Sequence, residues 1–168
     1  GIMAIFGAPI AHEDHAQRAC YAALTILEEM STFADEVRRR HGLNFSVRIG
    51  NNSGEVIVGA IGDDLRMDYT AQGNTVGLAA RVEALAAPGA AYLTDHTARL
   101  VRGYLELHDL GEFSLKNVRE PLRVWRLEGV GKARTRLDVS RARGLSRFVG
   151  RRAETAKLED ALAKARGG

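Results

Sequence analysis

Residues 68–81 read Asp68-Tyr69-Thr70-Ala71-Gln72-Gly73-Asn74-Thr75-Val76-Gly77-Leu78-Ala79-Ala80-Arg81. A short extended piece, Met67 to Ala71, runs into Gly73-Asn74-Thr75, residue types that favour turns and helix starts, and the apolar spacing beyond them is helical. The helix is expected to reach about Ala86, where Pro88-Gly89 ends it. Gly77 stands four residues before Arg81 and so shares its helix face. A glycine inside a helix costs about 1 kcal/mol relative to alanine, so its presence there calls for a reason.

Upstream, Ile2 to Gly7 is a short apolar run closed by Gly7 and Pro9, and reads as a buried strand. His12-Glu13-Asp14 opens a long helix. Ala16, Ala19, Cys20, Ala23, Ile26, Leu27, Met30, Ala34 and Val37 recur along it at helical spacing, Arg38 to Arg40 suit its C-terminal end, and Gly42 stops it. Leu43, Phe45, Val47 and Ile49 alternate with Asn44, Ser46 and Arg48, the period of a half-buried strand. The turn Gly50-Asn51-Asn52-Ser53-Gly54 is expected to return the chain as a second strand, Glu55 to Ile61, giving a hairpin.

Downstream, Ala91 to Leu93 is strand-like, and Thr94 or Asp95 caps a short helix to about Val101. Leu105–Leu110, Glu112–Lys116 and Leu122–Leu127 are expected to form an antiparallel set with turns at Gly111 and Glu120-Pro121. Ala153 to Ala165 is a last amphipathic helix with Leu158 and Leu162 on one face. The order β-α-β-β-α-β, followed by further helix and strand, predicts an α+β, ferredoxin-like sandwich: an antiparallel sheet with helices on one face.

Composition bounds the function. The chain has 168 residues, 45% hydrophobic and 27% charged, which fits a globular domain. One cysteine excludes an intrachain disulfide framework and a multi-cysteine zinc site, and suits a reducing, cytoplasmic setting. Cys20 lies on the apolar side of its helix and reads as core. No stretch approaches the roughly 20 apolar residues that span a bilayer, and Gly1 to Ala11 lacks the basic flank of a signal peptide. Residues 1–131 carry a net charge of −4 and residues 132–168 one of +7. In the basic tail only Phe148 interleaves with the charges and no recognition helix is apparent, so a nucleic-acid partner is not expected. His12 and His15 have no evident third ligand and read as helix-start residues.

The stretch 68–81 resembles the helix-opening motif of class III adenylate/guanylate cyclase catalytic domains. That resemblance rests on Tyr69-Thr70, Gly73, Val76, Ala79 and Arg81, and the flanks agree with it. Gly1 to Gly7 with Ala8-Pro9 resembles the strand after the family's metal-binding Gly-Asp. Val47-Arg48-Ile49-Gly50, Ser53 to Gly59 and Ile61-Gly62 resemble its hairpin, and Leu115-Lys116 its late Leu-Lys-Gly turn. Phe148-Val149-Gly150-Arg151-Arg152-Ala153-Glu154 with Leu158 is similar to the opening of an AAA/STAND-type ATPase domain. The expected organisation is therefore a cyclase domain over 1–128, a basic linker over 129–147 and the start of an ATPase domain over 148–168.

The resemblance implies conversion of ATP to cyclic AMP and pyrophosphate in a homodimer with sites at the interface. It implies two Mg or Mn ions on two aspartates expected before Gly1, so these 168 residues alone are expected to be inactive. Asp63, Asp64 and Asp68 fall in a family turn without that role. Arg81 matches the arginine that meets the transferring phosphate, for which a planar, permanently charged guanidinium is suited. Lys116 matches the polyphosphate lysine, although Asn117 replaces the usual glycine after it. Thr70 stands at the purine-selecting position, where a hydroxyl accepts from adenine or donates to guanine. Gly77 replaces the asparagine that orients the ribose. The alternative is a cyclase-like regulatory or dimerisation module controlling a downstream ATPase.

Overall fold

A computed structural model describes residues 1–61, 68–72, 74–115, 118, 120–133, 135–145 and 150–166, with backbone alone at 57–61, 68–72, 136, 143 and 152. Two compact units divide the chain, Gly1–Arg134 and Thr135–Gly168. The first contains α1 (His15–His41), β1 (Ile49–Asn51), β2 (Ile57–Ile61), β3 (Asp68–Gln72), α2 (Asn74–Leu85), β4 (Ala91–Thr94), α3 (Asp95–Val101), β5 (Leu105–Phe113) and β6 (Leu122–Val130). The second contains α4 (Arg136–Arg143) and α5 (Arg152–Arg166). Among the described residues no helix is long and apolar enough to cross a membrane.

Four strands form one sheet in the order β1-β4-β6-β5, and β2 and β3 form a separate antiparallel ribbon. The expected α+β class holds, but two details of the sheet differ. The β1–β4 pair is parallel, and helices cover both faces. The reason lies in β4, whose four residues are all buried. Successive strand residues point to opposite faces. Ala91 and Leu93 join α1 (Ala16, Cys20, Ala23) and Val101 of α3 in one core, while Tyr92 joins Val82 of α2 and Val124 of β6 in another. A strand apolar on both sides needs a layer on each.

Three other expectations are corrected. Ile2 to Gly7 forms no strand; Ile2 is 103% and Met3 52% exposed. An apolar run becomes a strand only where another backbone offers ladder bonds, and none of the described residues does so here. Only Ile49 of the alternating run 43–49 enters a strand, and β1 does not pair with β2, so the expected hairpin is absent. Phe45 instead stands edge-on to Phe33 of α1, ring centroids 5.8 Å apart. Finally, Gly111 does not end a strand. β5 continues through it with a bulge, at φ +85°, its amide bonded 2.9 Å to Asp109 Oδ1. The extra residue shifts the alternation, so Leu110 and Phe113 both meet the α2-side core while Leu105 and Leu107 meet the α1 side.

The stretch expected as linker contains α4, whose N-cap Thr135 and Asp138 form a reciprocal capping box. On α5, Leu158 and Leu162 are 72% and 51% exposed.

Gly50 is where α2 crosses β1. A Cβ there would overlap the Ala79 carbonyl oxygen and the Glu83 amide and lie 2.8 Å from Glu83 Cα. Backbone cannot retreat as a side-chain tip does, so Gly50→Ala is expected to cost about 3 kcal/mol, read as a lowered urea midpoint. Cys20 is fully buried, and burial pushes its thiol up to about 12. Below that pH it is held as the unreactive thiol. At pH 8 the native chain should leave a disulfide reagent unreacted, with one thiol released on unfolding.

Candidate active site

The segment that decided the sequence reading forms β3 and α2, joined at Gly73, which lies outside the described residues. Thr70 is in β3, paired in register with Gly59 of β2; its side chain lies outside the described residues, as does Lys116. Gly77 and Arg81 both lie on α2, one turn apart, and the structure brings them together. A Cβ on Gly77 would stand 3.7 Å from Arg81 Nη1 and 4.0 Å from Cζ. The guanidinium therefore folds back toward the N-terminal end of α2, as helical side chains lean. Arg81 is partly buried and makes no hydrogen bond or ion pair with any described residue. Several other arginines of the unit take carboxylate partners: Arg123 grips Asp109 at 3.1 and 2.7 Å, and Arg99 meets Asp95 at 3.1 Å. A partly desolvated cation without a counter-charge is a place for an anion.

What holds α2 in place is a chain of hydrogen bonds that the sequence reading did not foresee. The Ser53 amide donates to Thr97 Oγ1 at 2.8 Å. Thr97 and Thr94 hydroxyls are 3.1 Å apart, and Thr94 Oγ1 donates to Asn52 Oδ1 at 2.8 Å. With the Thr94 proton committed to Asn52, the Thr97 hydroxyl is the donor to Thr94. Asn52 Nδ2 donates to the Thr75 carbonyl at 2.8 Å, and Thr75 Oγ1 donates to the Glu55 carbonyl at 2.7 Å. Both Thr94 and Thr97 are 1% exposed. The run 50–54 read simply as a turn, and Thr94 simply as a cap. Two threonines three apart at the end of a short strand were the available signal.

Beside this chain is a cleft of about 390 Å³, lined among others by Ser53, Asn74, Leu78, His96 and Arg123. It opens between α2, α3 and the β5–β6 pair; of the residues singled out from the sequence, the two whose side-chain positions are described, Gly77 and Arg81, do not line it. Next to it, Trp125 Nε1 donates to Asp95 Oδ1 at 3.0 Å, and the Gly111 amide and the Arg123 guanidinium hold the Asp109 carboxyl below the usual range. Among the described residues no three His, Cys, Asp or Glu side chains gather as metal ligands.

The model of the adenylate and guanylate cyclase catalytic domain matches residues 1–129, and the chain belongs to that family. It is 38% identical over 85 residues to adenylate cyclase 1 of Rhizobium meliloti, covering 50% of this chain and 13% of that protein. The guanylate cyclase domain of RhGC from Catenaria anguillulae, solved with GTP, matches with TM-score 0.64 and 30% identity over 74% of this chain and 65% of its own. The adenylyl cyclase CyaB from P. aeruginosa matches with TM-score 0.67 and 25% identity over 76% and 66%. The chain thus spans about one-eighth of the curated relative and two-thirds of the solved domains.

Asn52 joins the α2 end of the hydrogen-bond chain to the α3 end. Asn52→Leu removes the side-chain donor to the Thr75 carbonyl and the acceptor of the Thr94 hydroxyl proton. It is expected to cost about 2–3 kcal/mol, seen as a lower melting temperature of the first unit.

Proposed function

We propose that the first unit is the catalytic domain of an adenylate cyclase acting in cytoplasmic signalling, as a homodimer with sites between subunits. In the reaction the ribose 3′ oxygen of ATP loses its proton and bonds to the α-phosphorus. The bond from that phosphorus to the β-phosphate's bridging oxygen breaks, and pyrophosphate leaves. Charge accumulates on the α-phosphoryl oxygens, and a fixed cation there lowers the barrier. Arg81 is the group for that task. The observation that carries the reading is its partly buried guanidinium, which has no carboxylate partner among the described residues and lies on the helix that opens the family motif. Lys116 would hold the polyphosphate and Thr70 would meet the purine edge.

Two Mg or Mn ions, when bound, supply charge neutralisation and acidify the 3′ hydroxyl. The described residues do not gather a ligand set for them, so no step here is routed through the ions. Their aspartates are proposed to precede Gly1. Residues 148–168 are proposed to open an ATPase domain in the same parent chain.

The test is production of cyclic AMP from ATP, and of cyclic GMP from GTP, with Mn present. The 168-residue chain should give neither product. The parent protein should give cyclic AMP, and Arg81→Ala in the parent should lower kcat at least about 100-fold, the size of effect expected for one transition-state donor. A parent protein that binds nucleotide and makes no cyclic product would identify the regulatory module instead.

A further inference from the structure

Gly77 and Arg81 stand in a relation that the missing ribose-orienting side chain does not by itself explain. Side chains on a helix lean toward its N-terminus, so an arginine naturally sweeps over the residue one turn before it. Ordinarily that residue's own side chain fills the space. Here no side chain stands there, and the Arg81 guanidinium lies alongside, in van der Waals contact at 3.7 Å (Nη1) and 4.0 Å (Cζ) from where a Cβ would be.

Two features make this position shallow. The guanidinium forms no hydrogen bond or ion pair with any described residue. It also lies over the fourth residue of α2 (Asn74–Leu85), in the part of a helix whose dipole repels a cation and attracts an anion. The arginine rests against glycine where the helix dipole disfavours its charge, so an arriving anion draws it out without breaking a bond to any described residue.

We infer that Gly77 is a positioning residue that gives Arg81 two places: retracted over the helix when the site is empty, and extended onto a phosphoryl group when it is filled. This rests on the phosphate-binding role given to Arg81 above and goes beyond it, since the residue at 77 then sets how much of the arginine is available to the ligand. Binding through a partly populated competent state is weakened in proportion to that population. A side chain at 77 that reaches beyond Cβ denies Arg81 its retracted place. Alanine leaves the guanidinium in ordinary contact, and leucine fills the space. Neither adds a polar group that could itself bind phosphate.

The experiment uses the full chain with inorganic pyrophosphate as the probe, in low salt and without metal, followed by calorimetry and by the Arg81 Nε–H NMR signal. Circular dichroism and Gly77→Met guard against a misfolded Gly77→Leu. Pyrophosphate should shift the Arg81 signal of the unsubstituted chain. Gly77→Leu and Gly77→Met should start near the shifted position and bind about 3- to 10-fold tighter, with Gly77→Ala, which only touches the guanidinium, near the unsubstituted chain. In an Arg81→Ala background the residue at 77 should have no effect on affinity. A purely structural role for Gly77 would raise stability and leave both readouts unmoved.

If Arg81→Ala weakens pyrophosphate binding while Gly77→Leu and Gly77→Met change neither affinity nor signal, the two-place inference is overturned and the phosphate role of Arg81 stands. If Arg81→Ala leaves pyrophosphate binding unchanged, the phosphate role itself fails, and the inference with it.

Discussion

The first unit depends on a chain of hydrogen bonds passing from the Ser53 amide through Thr97, Thr94 and Asn52 to the Thr75 carbonyl, with the Thr75 hydroxyl closing on Glu55. Its members come from the segment after β1, the end of β4, the first turn of α3 and the first turn of α2. A half-satisfied chain of this kind, at 1% exposure of both central threonines, would cost more than an apolar core of the same shape. Fully satisfied, each link polarises the next. The four elements then share one arrangement, because moving any of them strands a buried donor or acceptor. Thr94 serves this chain while its side chain also accepts from the Thr97 amide as the N-cap of α3. Capping a short helix and fixing a long one are thus the work of the same hydroxyl.

The second constraint is the crossing of α2 over Gly50. The helix backbone lies so near β1 that no side chain fits at that position. Arg48 meets Glu83 at 3.3 Å on the same crossing. The close approach brings Val82 and Ala86 onto Tyr92 and Val124 in one core, these residues being fully or nearly closed to water. α2 is thereby fixed at its first turn by hydrogen bonds and at its middle by contact. Removing a core side chain of this size typically costs 1–4 kcal/mol, so the placement is not easily lost.

What the sequence made legible follows from which interactions are local. The extents of α1, α2 and α3 were readable because their signals are within reach of each other: Gly42 at φ +68° ending α1, Thr94 capping α3, Pro88-Gly89 after α2. Strand partners were not readable in the same way. The alternation of Leu43 to Ile49 is real, yet a strand is a relation between two backbones, and β1 found its partner in β4, some forty residues away, rather than in the next segment. Gly111 read as a turn because a bulge and a turn make the same demand on φ, and only the register with Val124 tells them apart. At the site, the helical spacing of Gly77 and Arg81 was legible as a shared face. That the arginine folds back alongside the glycine was not, because side-chain direction depends on which partners the rest of the fold offers.

These constraints bear on why a strained economy is visible at one strip of α2. The helix is held by its first turn, by the Gly50 crossing and by its core face. Gly77 and Arg81 depart from that pattern on α2: a helix residue with no side chain, and a partly buried cation with no described counter-charge. A chain selected only for stability would place alanine at the first and a neutral or paired residue at the second. Local rules broken side by side on an otherwise satisfied element are the pattern that functional sites leave. A firm frame makes the departure useful, because a cation without a described counter-charge, on a helix held at its first turn and at its middle, keeps its place for an arriving anion.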